Sequence, residues 1–158
     1  MKNLEFVALD RVEPEALLGL MNQEPLRRHL VDHAYFDSAG IRGWVQEKLA
    51  VDAVPGCRVR AIRVDGNLAG WCGIQPDDHG FELAIVLSHQ AWGLGIAVFR
   101  TLMDWASEFG HEEVVFHLLD SRPEYRSLAR MARKVHESEL LGRRFTTYHL
   151  AVERPVAT

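Results

Sequence analysis

Apolar positions along this chain switch between a helical and an extended rhythm, and the switches outline the elements. Leu4 to Leu9 reads as a first strand, and Glu13 to Asn22 as a helix with Pro14 near its start and Leu17, Leu18 and Met21 on one face. A short helical stretch is expected over Pro25 to Leu30. Asp37 or Ser38 can cap the next helix, in which Ile41, Trp44, Val45 and Leu49 follow the i, i+3, i+4, i+8 spacing until Pro55 and Gly56 end it. Cys57 to Val64 and Leu68 to Ile74 read as antiparallel strands around the tight-turn signal Asp65-Gly66-Asn67. Gln75 to Gly80 reads as a second turn and Phe81 to Leu87 as the following strand.

From about Leu94 to Phe109 the helical spacing returns, with Leu102, Trp105, Ala106 and Phe109 in phase, and Gly110 stops it. Val114 to Leu119 is a nearly unbroken apolar run, as a strand covered on both faces requires. Tyr125 to Val135 reads as a basic amphipathic helix, and Phe145 to Val152 as a closing strand. The order is strand, helices, three antiparallel strands, helix, strand, helix, strand. It predicts a mixed α/β (α+β) layout and not a repeated strand–helix winding. No repeat or linker divides the chain, so one domain is expected over 1–158, with its core over about 4–152.

Composition narrows the class. The chain has 158 residues, 47% hydrophobic and 25% charged, with a formal net charge of -4. That balance suits a globular fold and gives no global attraction to nucleic acid. Seven Arg or Lys residues nevertheless fall between Arg122 and Arg144, either as a local anion site or as a solvated helix face. Cys57 and Cys72 are the only cysteines, too few for a disulfide framework, and they read as small buried hydrophobes in a reducing, cytoplasmic setting. No signal-like apolar core or membrane-length run is present. The eight histidines show no metal-ligand spacing such as H-E-x-x-H, so no metal is expected, and His117 on the central strand reads as a satisfied core histidine or, alternatively, as one that faces the cleft.

The chemistry concentrates at the junction Leu87-Ser88-His89-Gln90-Ala91-Trp92-Gly93-Leu94-Gly95-Ile96-Ala97. Two glycines at a strand-to-helix turn allow a tight bend, and the helix start adds unpaired N–H donors and the positive end of its dipole. Such a junction suits a pyrophosphate. A dinucleotide fingerprint fails because Val98 stands where a third small residue belongs, and a Walker A loop fails for want of Gly-Lys-Ser/Thr.

Gln90-x-x-Gly93-x-Gly95 resembles the Q/R-x-x-G-x-G/A acetyl-CoA signature of the GNAT superfamily of N-acyltransferases. The wider stretch from Glu82 to Ala97, with Leu26-Arg27-Arg28-His29-Leu30 earlier, is most similar to the branch containing the ribosomal-protein N-terminal-alanine acetyltransferases. The resemblance implies the GNAT fold: a mostly antiparallel central sheet, helices on both faces, splayed between the fourth and fifth strands. It implies acetyl-CoA as co-substrate, held by Gln90, Ala91, Trp92, Gly93, Leu94, Gly95, Ile96 and Ala97, with a backbone N–H near Val86 or Leu87 polarising the acetyl carbonyl. Arg126, with Arg122, would meet the nucleotide end. The acceptor would be a primary amine of a small molecule or a protein N-terminus, and a homodimer through the closing strands is common in the family.

Direct attack by an amine needs a base and an acid. Glu82 is the base candidate: it alternates with Ala84 and Val86 on a covered strand, where burial would raise its pKa. A strand-edge carboxylate is the plainer reading; Asp77, Asp78 and Glu139 are substitutes. Tyr125 and Ser127 are the acid candidates or, equally, helix-start caps. The family's Asn is missing there, Ala132 stands at the place of its late Tyr, and Val135-His136 replaces a Gly-Phe. These departures leave a second reading open, an acyl-CoA-binding or interaction module whose catalysis has decayed. Tyr35 and Phe36, in the loop between the early helices, are acceptor-side candidates or lid packing.

Overall fold

The computed structural model describes residues 3–23, 36–119, 130, 132–140 and 143–153. Its elements, in chain order, are β1 (Leu4–Val7), a 3-10 turn (Leu9–Arg11), α1 (Pro14–Met21), α2 (Ser38–Asp52), β2 (Arg58–Val64), β3 (Asn67–Asp77), β4 (Gly80–Leu87), a second 3-10 turn (His89–Leu94), α3 (Gly95–Phe109), β5 (Glu113–Leu119), β6 (Ala132–Leu140) and β7 (Arg143–Ala151). The strands form one seven-stranded sheet in the order β1-β2-β3-β4-β5-β7-β6.

Local chemistry sets most boundaries. Pro14 opens α1, where a missing N–H costs nothing. The Asp37 carboxylate accepts the Gly40 N–H at 2.7 Å and caps α2. Asp65 and Gly66 both take positive φ, 52° and 83°, the pairing that a two-residue hairpin with the twist of β2 and β3 requires. Gly110, at φ 81°, ends α3 in the left-handed conformation.

Period-2 alternation then divides the core in two. Cys72, Ile74, Leu83, Leu87, Val114, Leu118, Tyr148 and Leu150 pack on one face against Val98, Leu102 and Ala106 of α3. Ala61, Trp71 and Val86 face the other way, against Leu17, Leu20 and Met21 of α1 and Ile41 and Val45 of α2. Helices therefore cover both faces, and Glu82, in phase with Ala84 and Val86, belongs to the α1–α2 side. No helix among the described residues is long and apolar enough to cross a membrane.

All strand pairs are antiparallel except β4–β5, which is parallel and pairs only at Glu82↔Val115 and Leu83↔Phe116. On its other side β4 pairs with β3 along its whole length, from Gly80 to Leu87. Beyond Leu83, then, β4 keeps its β3 ladder and parts from β5. That is the splay between the fourth and fifth strands.

Two elements differ from the sequence-based expectation. Ala132–Leu140 is a strand where a helix was expected through Val135. Its apolar content is low, and it is extended because β7 pairs with it from Leu150 to Arg143; tertiary pairing overrides propensity at a charged, exposed sheet edge. Ala132, matched above to a helical tyrosine position, is therefore a strand residue. The other difference is Gln75–Asp77, which continues β3 and is not a turn. Register with β2 ends at Arg58↔Ile74, so Pro76 lies where β3 has run past its neighbour, a setting in which strands accept proline. The extension places Gln75 directly opposite Glu82.

Candidate active site

The strand-to-helix junction is built in two steps. Ser88 N–H donates to Ala69 O at 2.7 Å, and Ala91 N–H to Ser88 O at 2.9 Å, which carries the chain from β4 into the 3-10 turn. α3 then starts at Gly95 directly from that turn, with no side chain among the described residues capping it. Ala91 is buried beneath the turn, while Gln90, Gly93, Ile96 and Ala97 are exposed and Leu94 and Gly95 half-buried.

The glycines contribute differently from the tight bend expected of them. Neither Gly93 nor Gly95 takes a positive φ, so any residue could follow that path. A Cβ built on either meets nothing within 4 Å among the described residues. What glycine provides is bare backbone on an open side, where a bulky anion can approach the N–H groups closely.

Glu82 stands at the seam where β4 and β5 still pair, with three strands and α2 supplying its surroundings. Gln75 donates its amide N–H to Glu82 Oε1 at 2.6 Å, and Lys48 of α2 donates to Gln75 Oε1 at 2.7 Å. Because an ammonium only donates, Lys48 fixes which end of the Gln75 amide faces Glu82. The other carboxylate oxygen, Oε2, lies 3.7 Å from His117 Nε2. His117 of β5 is itself held at both nitrogens, Nδ1 2.8 Å from Thr147 Oγ1 and Nε2 3.1 Å from Asp77 Oδ1. It is nearly buried, as a core histidine should be, yet it belongs to this cluster.

Burial raises the Glu82 pKa, and the Asp77 charge adds to the rise; the Gln75 hydrogen bond, His117 and Lys48 pull it back. Burial likewise lowers the Lys48 pKa, opposed by Glu82 and Glu47. The Lys48 ammonium also sits 4.9 Å from the Trp71 ring centroid and 5.8 Å from that of Trp44.

Phe36 marks the outer end of this region. Its backbone is bracketed by the Asn22 side chain, 2.9 Å to its O and 2.9 Å from its N, and its ring contacts Trp44 at 6.5 Å, which contacts Trp71 at 5.2 Å. An aromatic row thus runs from Phe36 to the Lys48–Gln75–Glu82 chain. Trp71 Nε1 is buried without a hydrogen-bond partner among the described residues, and Trp71 pairs with Val86 across the ladder. Asp78 is an exposed turn residue, and Glu139 is exposed on β6 opposite Arg144. Tyr35, Arg122, Tyr125, Arg126 and Ser127 lie outside the described residues. Lys48 and Gln75 were not among the sequence candidates. The one available signal was period-2 alternation continued through Pro76.

No protein-family model and no curated protein sequence matches the chain. Solved structures do. The spermidine N-acetyltransferase from Vibrio cholerae in complex with CoA and spermine superposes with a TM-score of 0.73 at 13% identity, over 94% of this chain and 95% of that one. A protein from Bordetella pertussis assigned to the GNAT family of acetyltransferases gives 0.73 at 16%, over 94% and 95%. RimL, the ribosomal L7/L12 α-N-protein acetyltransferase, gives 0.71 at 16%, over 94% and 90%. The fold is that of the GNAT-family acetyltransferases, as the Gln90–Gly95 motif implied.

Proposed function

We propose that this protein is an acetyl-CoA-dependent N-acetyltransferase acting on a primary amine, with Glu82 as its general base. The observation that carries the reading is the position of Glu82. A carboxylate with a burial-raised pKa stands where the parallel β4–β5 pairing stops, on the fold that transfers acetyl groups in the similar structures.

The residues at hand fit the co-substrate. Bare backbone at Gly93 and Gly95, ahead of an uncapped helix start, suits a pyrophosphate, with Gln90, Ala91, Trp92, Leu94, Ile96 and Ala97 around it. The gap between β4 and β5 beyond Leu83 suits an extended thioester arm, and the buried Trp71 N–H, without a partner among the described residues, offers a donor in the adjoining ladder. Bound acetyl-CoA supplies the acetyl group as a thioester. A backbone N–H at Val86 or Leu87 would stabilise the carbonyl oxygen as negative charge develops on it. Glu82 takes a proton from the acceptor ammonium, directly or through water; the free amine forms the C–N bond as the C–S bond breaks. The thiolate then takes a proton from an acid, for which Tyr125 and Ser127 stand as candidates. On the acceptor side Phe36 borders the approach, Tyr35 stands as a candidate from the sequence, and the acceptor is a polyamine-like small molecule or a protein N-terminus.

The test is acetyl-CoA binding followed by turnover. Acetyl-CoA should raise the melting temperature by mass action, and thiol release should follow on mixing with a panel of polyamines and peptide N-termini. A stability shift without thiol release across the panel would identify a binding module whose catalysis has decayed, and no shift would overturn both readings.

A further inference from the structure

Three donor atoms from three adjacent strands converge beside the β4–β5 seam: Asp77 Oδ1, Glu82 Oε2 and His117 Nε2, all within 4.8 Å of one another. His117 Nε2 lies 3.1 Å from the first and 3.7 Å from the second. Two ligands bonded to one ion at about 2.0–2.1 Å in tetrahedral geometry stand about 3.3 Å apart, so these spacings bracket what a small cation imposes.

The second feature is on the far side of each ligand. Asp77 Oδ2 accepts the His79 backbone N–H at 3.0 Å. Glu82 Oε1 accepts from Gln75 at 2.6 Å, itself fixed by Lys48. His117 Nδ1 faces the buried Thr147 hydroxyl at 2.8 Å. Each ligating group is thus held at its other end, which is how outer partners orient metal ligands, while Asp77 Oδ1 and His117 Nε2 contact each other at 3.1 Å, a contact that an ion would take over. With Nδ1 protonated and donating to Thr147, Nε2 presents its lone pair to the centre. The three side chains are 14%, 21% and 8% exposed, so the ligands are held and one side remains reachable.

We propose that Asp77, Glu82 and His117 bind one divalent transition-metal ion of the zinc class, and that the bound ion switches off acetyl transfer. One imidazole with two carboxylates favours zinc, cobalt or iron over magnesium and calcium, which prefer oxygen alone. Binding follows from the donor set by itself; inhibition rests on the reading of Glu82 as base, because an ion coordinated to Oε2 competes with the ammonium proton for the same carboxylate. No sequence spacing announces the site, since residues 77, 82 and 117 meet only through the β3–β4 hairpin and the β4–β5 pairing.

Calorimetric titration of zinc chloride into the chelator-treated full chain, without acetyl-CoA, tests the binding half. One site per chain is expected, weakened at least 100-fold in H117N and in D77N and 10–100-fold in T147V, with a zinc-induced rise in melting temperature lost in parallel. Cobalt should give the intense visible bands of a low-coordination site in the wild type and not in H117N. The neighbouring pair, His136 Nε2 and His149 Nε2 at 2.9 Å with His149 held by Glu113, is the control, and H149N must keep the site. No heat and no stability shift at millimolar zinc overturns the proposal, as does binding that survives H117N and D77N or is lost in H149N. Circular dichroism confirms that each variant is folded. A chain that binds zinc but never releases thiol refutes the proposed activity and leaves the site standing; a chain that transfers acetyl groups equally with and without saturating zinc refutes the inhibition.

Discussion

Gln75 and Glu82 face each other across the β3–β4 ladder, and the Gln75 amide donates to Glu82 Oε1 at 2.6 Å. This bond works against the burial that raises the carboxyl pKa. In Q75L the opposing contribution disappears, so the Glu82 pKa should rise further and the acidic limb of the pH–rate profile should move to higher pH. At neutral pH the loss in kcat/KM is expected to be on the order of 10-fold, from one lost hydrogen bond to a charged group. An unmoved limb would mean that Glu82 does not set it.

Replacing Glu82 itself should separate catalysis from stability. In E82Q, kcat should fall by roughly 10²–10⁴, the range of a general base, while the acetyl-CoA stability shift remains. The same variant should be more stable than the wild type at neutral and higher pH. Because burial raises the folded-state pKa, the unfolded chain ionises first as pH rises, and the wild type loses stability through that window. Above it the penalty is full; below the ordinary carboxylate range it vanishes. Melting temperatures at pH 5 and pH 8 check the sign.

Gly93 offers a cleaner test of ligand binding. Its side is open among the described residues and its φ ordinary, so G93V should fold with a melting temperature close to that of the wild type. The added side chain fills the space against the backbone donors. The acetyl-CoA shift should be lost while the fold is kept, read by thermal melting with and without ligand.

Gly70 should behave in the opposite way. A methyl there would collide with the Val86 carbonyl oxygen and come within 3.0 Å of Leu87 Cα. G70A should cost about 1–3 kcal/mol, the usual range for overpacking, measured by denaturant unfolding. The strain falls on Val86 and Leu87, the segment of β4 proposed to polarise the acetyl carbonyl, so kcat should fall too.

The thiols should be silent in the native state. Cys57 and Cys72 are free and buried, and burial pushes both pKa values up, that of Cys72 far above the ordinary thiol range. Neither should react with a disulfide reagent at pH 8 until denaturant is added; rapid native labelling would contradict their burial.

Much of the frame was legible in the chain because its signals are local. Asp37, Asp65-Gly66, Gly110 and the apolar phase of α3 each act within a few residues, and the structure uses them where they were expected. The glycine pair likewise located a junction, although its role is to bare the backbone and not to bend it. β6 was not legible, since Ala132–Leu140 is a strand only because β7 lies beside it. Gln75 was hidden for a related reason: Pro76 reads as a break unless one knows that β2 has already ended.

The sequence by itself determined the mixed strand–helix order as far as β5, the GNAT-like junction at Gln90–Gly95 and Glu82 as a covered carboxylate. Alternation along β4 is a property of one segment, and it was enough to set Glu82 in phase with Ala84 and Val86. What surrounds Glu82 was decided by tertiary structure. Lys48, Gln75, Asp77, His117 and Thr147 come from α2, β3, β5 and β7, and only the register of those strands brings them together. Hydrogen bonds and charge shifts act over a few ångströms in space, at separations along the chain that no local pattern encodes.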